Sequence, residues 1–277
     1  MKISISLLFL SFINLCLGQK FQATAYYASQ TQMKNFNITS PDMTPAMQEK
    51  LMAVMKKSFE ETYVLNFTNF ESLYQKEQKL EVPNTNNGSV NFKMITSGNN
   101  ESKLYKNFKN KQFITNEDIF GKEFLITDSL KIFNWKLINE QKKIGNYTCY
   151  KAQIIKPVTD EDLKEYEEIK KKQELGKTSF FIMNEPKEEI IEAWYTLDIP
   201  VSNGPGKYWG LPGLILELHE GSTTLLCSKI VLNPKDTIEI KAPKNGKKVN
   251  QKKFDKIQED KLNSMKDGDG VIQIKMN

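Results

Sequence analysis

A chain of 277 residues with one histidine has to build any imidazole chemistry on that residue or do without it. His219 is alone, which excludes zinc sites made of several histidines and any triad that omits it. Its best partner by position is Cys227. If Gly221-Ser222 is a two-residue turn, His219 pairs with Thr224 while Leu216 faces Cys227, so thiol and imidazole fall on opposite faces of the sheet. That parity argues against a dyad and makes His219 an exposed strand-end residue. Cys149 and Cys227 leave two readings open, a disulfide between strands or two buried free thiols, because spacing alone does not give a Cα separation.

Other chemistry is no better supported. The acid pairs Glu60-Glu61 and Glu188-Glu189 are neighbours in sequence, and nothing makes two carboxylates converge. Residues 266–270, KDGDG, resemble the start of a calcium loop, but the glutamate expected at its twelfth position is missing. Gly204, Gly206, Gly210 and Gly213 precede a strand, whereas a phosphate loop opens a helix. The sequence therefore predicts no catalytic residue, metal or cofactor. Five Asn-x-Ser/Thr sequons begin at Asn37, Asn66, Asn87, Asn100 and Asn146; in a chain so rich in Asn they are weak signals.

Composition narrows the partners. All 39 basic residues are lysine, so the bidentate fork that suits phosphate and guanine is missing, and the net charge of +5 is mild. Specific nucleic-acid binding is not expected. Residues 1–18, MKISISLLFLSFINLCLG, carry a lysine, an apolar run and a small residue at a cleavage position, the pattern of a secretory signal. The run is too short to span a membrane, and no later stretch is longer, so the mature chain has no expected transmembrane helix. Leu15 stands before Cys16 where lipoprotein processing needs a small side chain. Residues 19–277 are expected to form a single exported domain, periplasmic or otherwise in the cell envelope.

The elements that must position any site read as mainly β with added helices, an α+β protein. Strands are expected over 21–32, 63–74, 90–95, 103–109, 112–115, 123–127, 134–139, 147–155, 191–199, 214–218, 223–232 and 237–241. Their close spacing requires antiparallel neighbours, because the helices that parallel crossovers need are missing. An amphipathic, Met-rich helix is expected over 44–62, with Met47, Leu51 and Met55 on its apolar side. A charged helical excursion at 159–175 has too thin an apolar stripe to be a core element, and a polar helix closes the chain at 250–265.

Residues 194–218, WYTLDIPVSNGPGKYWGLPGLILEL, hold two turn-coded loops between alternating strands. In Leu211-Pro212-Gly213-Leu214, proline and glycine occupy the central positions of a type II turn, with positive φ expected at Gly213. The hexapeptide of Gly210, Leu211, Pro212, Gly213, Leu214 and Ile215, preceded by Ala193-Trp194-Tyr195, Ile199-Pro200 and Gly204-Pro205, resembles the GLPGLI family of Bacteroidetes secreted proteins. The strand Tyr147-Thr148-Cys149-Tyr150 is similar to that family's cysteine-containing strand, and the resemblance spans roughly 140–245. It implies a cell-envelope location and no assigned activity.

By analogy of architecture alone, a curved antiparallel sheet carrying helices in an exported protein resembles the half-barrel of periplasmic lipoprotein carriers. On that analogy the helix at 44–62 is a lid, and Trp194, Tyr208, Trp209, Met47, Leu51 and Met55 are candidate ligand contacts, although Tyr208 and Trp209 equally suit packing beneath their own turn. The expected function is noncatalytic binding of a lipid acyl chain or an apolar peptide. The alternative is an accessory protein that docks an outer-membrane transport or secretion partner, and an enzyme ranks third.

Overall fold

A computed structural model of the chain describes residues 21–31, 44, 46, 49, 60–77, 102–119, 121–174 and 185–265. These form one sheet of twelve strands and two helices. The strands are β1 (Gln22–Thr31), β2 (Thr62–Thr68), β3 (Glu71–Lys76), β4 (Lys103–Asn107), β5 (Gln112–Ile119), β6 (Lys122–Ser129), β7 (Lys136–Ile144), β8 (Tyr147–Lys156), β9 (Glu189–Thr196), β10 (Leu214–Glu220), β11 (Thr223–Leu232) and β12 (Lys247–Val249). The helices are α1 (Asp160–Glu174) and α2 (Gln251–Met265). The order across the sheet is β12-β6-β5-β4-β3-β2-β1-β11-β10-β9-β8-β7, antiparallel except where β12 runs parallel to β6.

The connection from β6 to β7 sets the shape. Ten strand spacings separate the two in this order, about 48 Å along a flat sheet. Residues 130–135 link them, and the seven Cα steps from Ser129 to Lys136 reach at most about 25 Å. The sheet therefore curls until its wings approach. It does not close, since no ladder joins β12 to β7.

Alternation along the central strands makes one face apolar. Ala23, Ala25 and Tyr27 of β1, Leu65 and Phe67 of β2, and Tyr74 of β3 are buried together, with Leu214 and Leu216 of β10 in the same cluster. At the β6 wing, α2 lays Phe254 edge-on against Phe124, with ring centroids 5.6 Å apart.

Three strand expectations change. Residues 63–74 form a hairpin, β2 and β3, because the Thr68 hydroxyl accepts hydrogen bonds from the amides of Phe70 and Glu71 and turns the chain without glycine or proline. The strand expected over 191–199 stops at Thr196. Residues 237–241 do not join the sheet: between Pro234 and Pro243, which lack amide donors, residues 233–246 cross the strands as a strap. The strand expected at 90–95 lies outside the described residues, as do residues 45, 47–48 and 50–59 of the helix expected at 44–62; Glu60 and Glu61 are not helical and Thr62 already opens β2, so that helix does not reach its expected end. The excursion and the terminal helix appear as α1 and α2. Thr159 and Asp162 cap α1 reciprocally, the Asp162 carboxylate accepting from the Thr159 amide at 2.8 Å.

Candidate functional site

The connection from β9 to β10, residues 197–213, is tied to itself before it meets the sheet. Val201 donates its amide to the Ile199 carbonyl at 2.8 Å and Asn203 donates to Val201 at 2.7 Å, two successive three-residue turns. Leu214 and Ile215 then donate back to the carbonyls of Ile199 and Asn203, both at 3.0 Å. Gly210, at φ +100°, donates its amide to the Ser202 hydroxyl at 3.0 Å.

Gly213 lies outside the positive-φ region, so the type II turn expected there is not formed. Glycine is needed at this position for another reason: a Cβ would lie 1.8 Å from the Thr196 carbonyl oxygen, inside the backbone of the end of β9. Gly204 is similarly crowded, with the Ile215 side chain 2.7 Å from where its Cβ would sit. Leu211, Leu214 and Ile215 are almost wholly buried and Pro205 is buried, so the GLPGLI residues shape and anchor the loop.

Opposite this loop stands Lys106 on β4, a residue the sequence reading did not single out. Its side chain is 0% exposed, and its ammonium donates to three loop carbonyls, Gly206 at 2.8 Å, Gly204 at 3.0 Å and Tyr208 at 3.3 Å. Burial pulls its pKa from the ordinary 10.5 to about 7. The only foreshadowing was a lysine sharing a strand face with Leu104, where an apolar residue belongs.

The aromatic residues of the loop bridge the two wings. Trp209 donates its indole N–H to the Lys131 carbonyl at 2.8 Å and stacks at a tilt on Phe108, with centroids 5.6 Å apart. Trp135, just before β7, donates to the Trp209 carbonyl at 2.9 Å. Tyr208, 2% exposed, packs with Phe133, Trp135 and Tyr195. Its hydroxyl makes no well-formed hydrogen bond, although Glu220 is near enough that the two perturb each other: burial and this carboxylate push the Tyr208 pKa up. Trp194 points to the opposite side of β9 from Tyr195, packs with Cys149 and Ile199, and holds Lys142 4.2 Å from its ring centre. Trp194 thus lies apart from Tyr208 and Trp209, and none of the three lines either hollow described below. Met47, Leu51 and Met55 lie outside the described residues.

His219 pairs with Thr224 as the two-residue turn requires, its Nδ1 2.9 Å from the Thr224 hydroxyl and its Nε2 2.5 Å from Glu217, which also binds Lys142. Cys227 is three residues beyond Thr224, on the other side of β11. Cys149 and Cys227 are free buried thiols in one apolar cluster. Burial pushes their pKa values up to about 11 and about 12, which suppresses the thiolate. Among the described residues no three His, Cys, Asp or Glu side chains cluster as a metal site would require.

Open space lies elsewhere, beneath the strap on the side of the central strands opposite Ala23, Ala25 and Tyr27. One hollow of about 660 Å³ is bounded by Tyr26, Asn66, Leu73, Gln75 and Val231 below and Ile238 above. A second, of about 870 Å³, continues over β5 and β6, floored by Ile114 and Leu125. Ala242 and Pro243 wall both.

A family model described as "Protein of unknown function (Porph_ging)" matches residues 135–217, about three-tenths of the chain, from Trp135 through the loop into β10. That family is uncharacterised and of Bacteroidetes type, and its description does not carry the GLPGLI name. No curated protein matches the chain. Two solved structures, described as "Structure of PNGF-II in C2 space group" and "Structure of PNGF-II in P21 space group", align over 86% of this chain at 14% identity and a TM-score of 0.48. The chain spans 32% and 33% of their lengths. A likeness this remote carries no argument.

Proposed function

We propose that this is a noncatalytic binding protein of the cell envelope, exported by its N-terminal leader, that holds an apolar chain by reversible burial. The observation that supports this is the strap. Residues 233–246 cross several strands without joining the sheet and leave two adjoining hollows beneath them. Both volumes fall within the roughly 300–1,000 Å³ of small-ligand pockets, and the first sets Leu73, Val231 and Ile238 among Asn66, Gln75 and the charged side chains of Lys103, Asp236, Glu239 and Lys241, an amphipathic lining that suits an acyl chain or apolar peptide with a polar end. In this reading the protein is GLPGLI-like and shares its plan with half-barrel lipoprotein carriers, with the strap as cover.

A second reading, docking to an outer-membrane partner, is favoured by β7, a sheet edge with no neighbour among the described residues, to which a partner strand can add. The edge is guarded, however, by Lys136, Lys142 and Lys143 and by an irregularity between Ile138 and Gln141, the usual devices against strand addition. The test is mass spectrometry of solvent extracts and intact complexes from protein purified from its native envelope. Stoichiometric lipid or peptide supports binding by burial, a stoichiometric folded partner supports docking, and an empty monomer refutes the first reading.

A further inference from the structure

The second hollow differs from the first in the charge of its rim. Its floor is Ile114 and Leu125, with Val249 beside them, and its rim carries Lys244, Lys248 and Lys253 with no acidic residue in the lining. All three lysines are exposed, and none is held in an ion pair among the described residues. Asp128 meets the start of α2 beside this rim. One of its oxygens accepts the Gln251 amide at 3.0 Å and the other the Ser129 amide at 2.7 Å, so it is engaged with backbone. Lys248 pairs in register with Leu125, which directs its aliphatic stem along the apolar floor and its ammonium toward water. Lys253 stands in the first turn of α2, whose leading amides are already taken, its own by Asn250 at 2.9 Å. Charge recognition here therefore falls to three lysine side chains around an apolar trough.

We propose that this hollow binds a single-chain anionic amphiphile, a long-chain carboxylate, with its tail on Ile114 and Leu125 and its head among Lys244, Lys248 and Lys253. The proposal rests on the binding reading above and names the ligand class. A neutral chain gains the floor but leaves the lysines unanswered, and a cationic one meets three like charges. About 870 Å³ suits one ligand of this size, whereas a two-chain lipid must place its second chain elsewhere.

The test is displacement of cis-parinaric acid fluorescence from the full mature chain by palmitate, hexadecanol and hexadecyltrimethylammonium, each below its aggregation threshold. Palmitate is expected to compete about tenfold better than hexadecanol, and the cation worst, the gap narrowing with salt. A Lys244→Gln, Lys248→Gln, Lys253→Gln variant, checked for folding by circular dichroism, should bring palmitate to the level of hexadecanol. The control Lys164→Gln, Lys170→Gln, Lys171→Gln on α1 changes net charge equally and should leave the gap intact. Equal competition by palmitate and hexadecanol overturns the anionic head while sparing the binding reading. Failure of every chain to bind overturns both, and loss of the gap in the α1 control reduces it to overall charge.

Discussion

At the scale of single residues, two glycines of one loop separate two kinds of constraint. A Cβ at Gly213 collides with the Thr196 carbonyl, while one at Gly206 meets open space and suffers only from φ +55°. Gly206→Ala should cost about 1–2 kcal/mol by urea unfolding, and Gly213→Ala distinctly more, because backbone has to move. Equal costs would mean that positive φ, not close approach, is what the loop requires. Lys106 gives a pH prediction. Its folded pKa of about 7 is below the ordinary 10.5, so between those values the unfolded chain binds more protons and stability rises with pH. Below about pH 7 the charge is present in both states and the contribution is flat. The stability of the wild type relative to Lys106→Met should therefore grow by roughly 1.4 kcal/mol per unit just above pH 7, levelling off towards pH 10.5. A difference constant over that range would show that the three carbonyls hold the ammonium at its ordinary pKa.

At the scale of elements, local chemistry was legible and long-range placement was not. β8, β11 and α1 are where alternation and capping residues put them, β5 starts where expected but runs on to Ile119, and the Gly221-Ser222 turn fixed the pairing of His219 with Thr224. The β2–β3 turn was illegible because a threonine hydroxyl does the work usually left to glycine. The strap was read as a strand because its Thr237-Ile238-Glu239-Ile240 alternates, although nothing local records that it lies across the other strands. Lys106 was missed because its partners are carbonyls on a loop about a hundred residues away, and carbonyls have no sequence signature. α1 makes no extensive packing with the described strands, yet Lys156 and Glu189 on either side of it pair directly. Leu163→Ser on α1 should thus leave the melting temperature within a few degrees, since Leu163 is 44% exposed and little apolar burial is lost. A large drop would reveal a docking role for the excursion.

At the scale of the whole molecule, the loop is the contact that joins the wings of an open sheet. Lys106 and Phe108 belong to one wing, Trp135 and Tyr195 to the other, and residues 204–209 touch both. Native-state hydrogen exchange should show β4 and β9 opening in a single step in the wild type. Trp209→Ala should lower protection in β4–β6 by about 1–2 kcal/mol while leaving β9 nearer to its original value. Equal losses in both wings would place the coupling in the sheet itself.

The position of β1 bears on how such a chain is assembled in time. Ala23 pairs with Phe67 on one side and with Leu232 on the other, so the first strand among the described residues sits at the centre of the sheet. One seam zips as soon as β2 follows; the second waits for β11, which ends 164 residues beyond the end of β2. High contact order of this kind slows folding and leaves a central strand half-paired until β11 has been made.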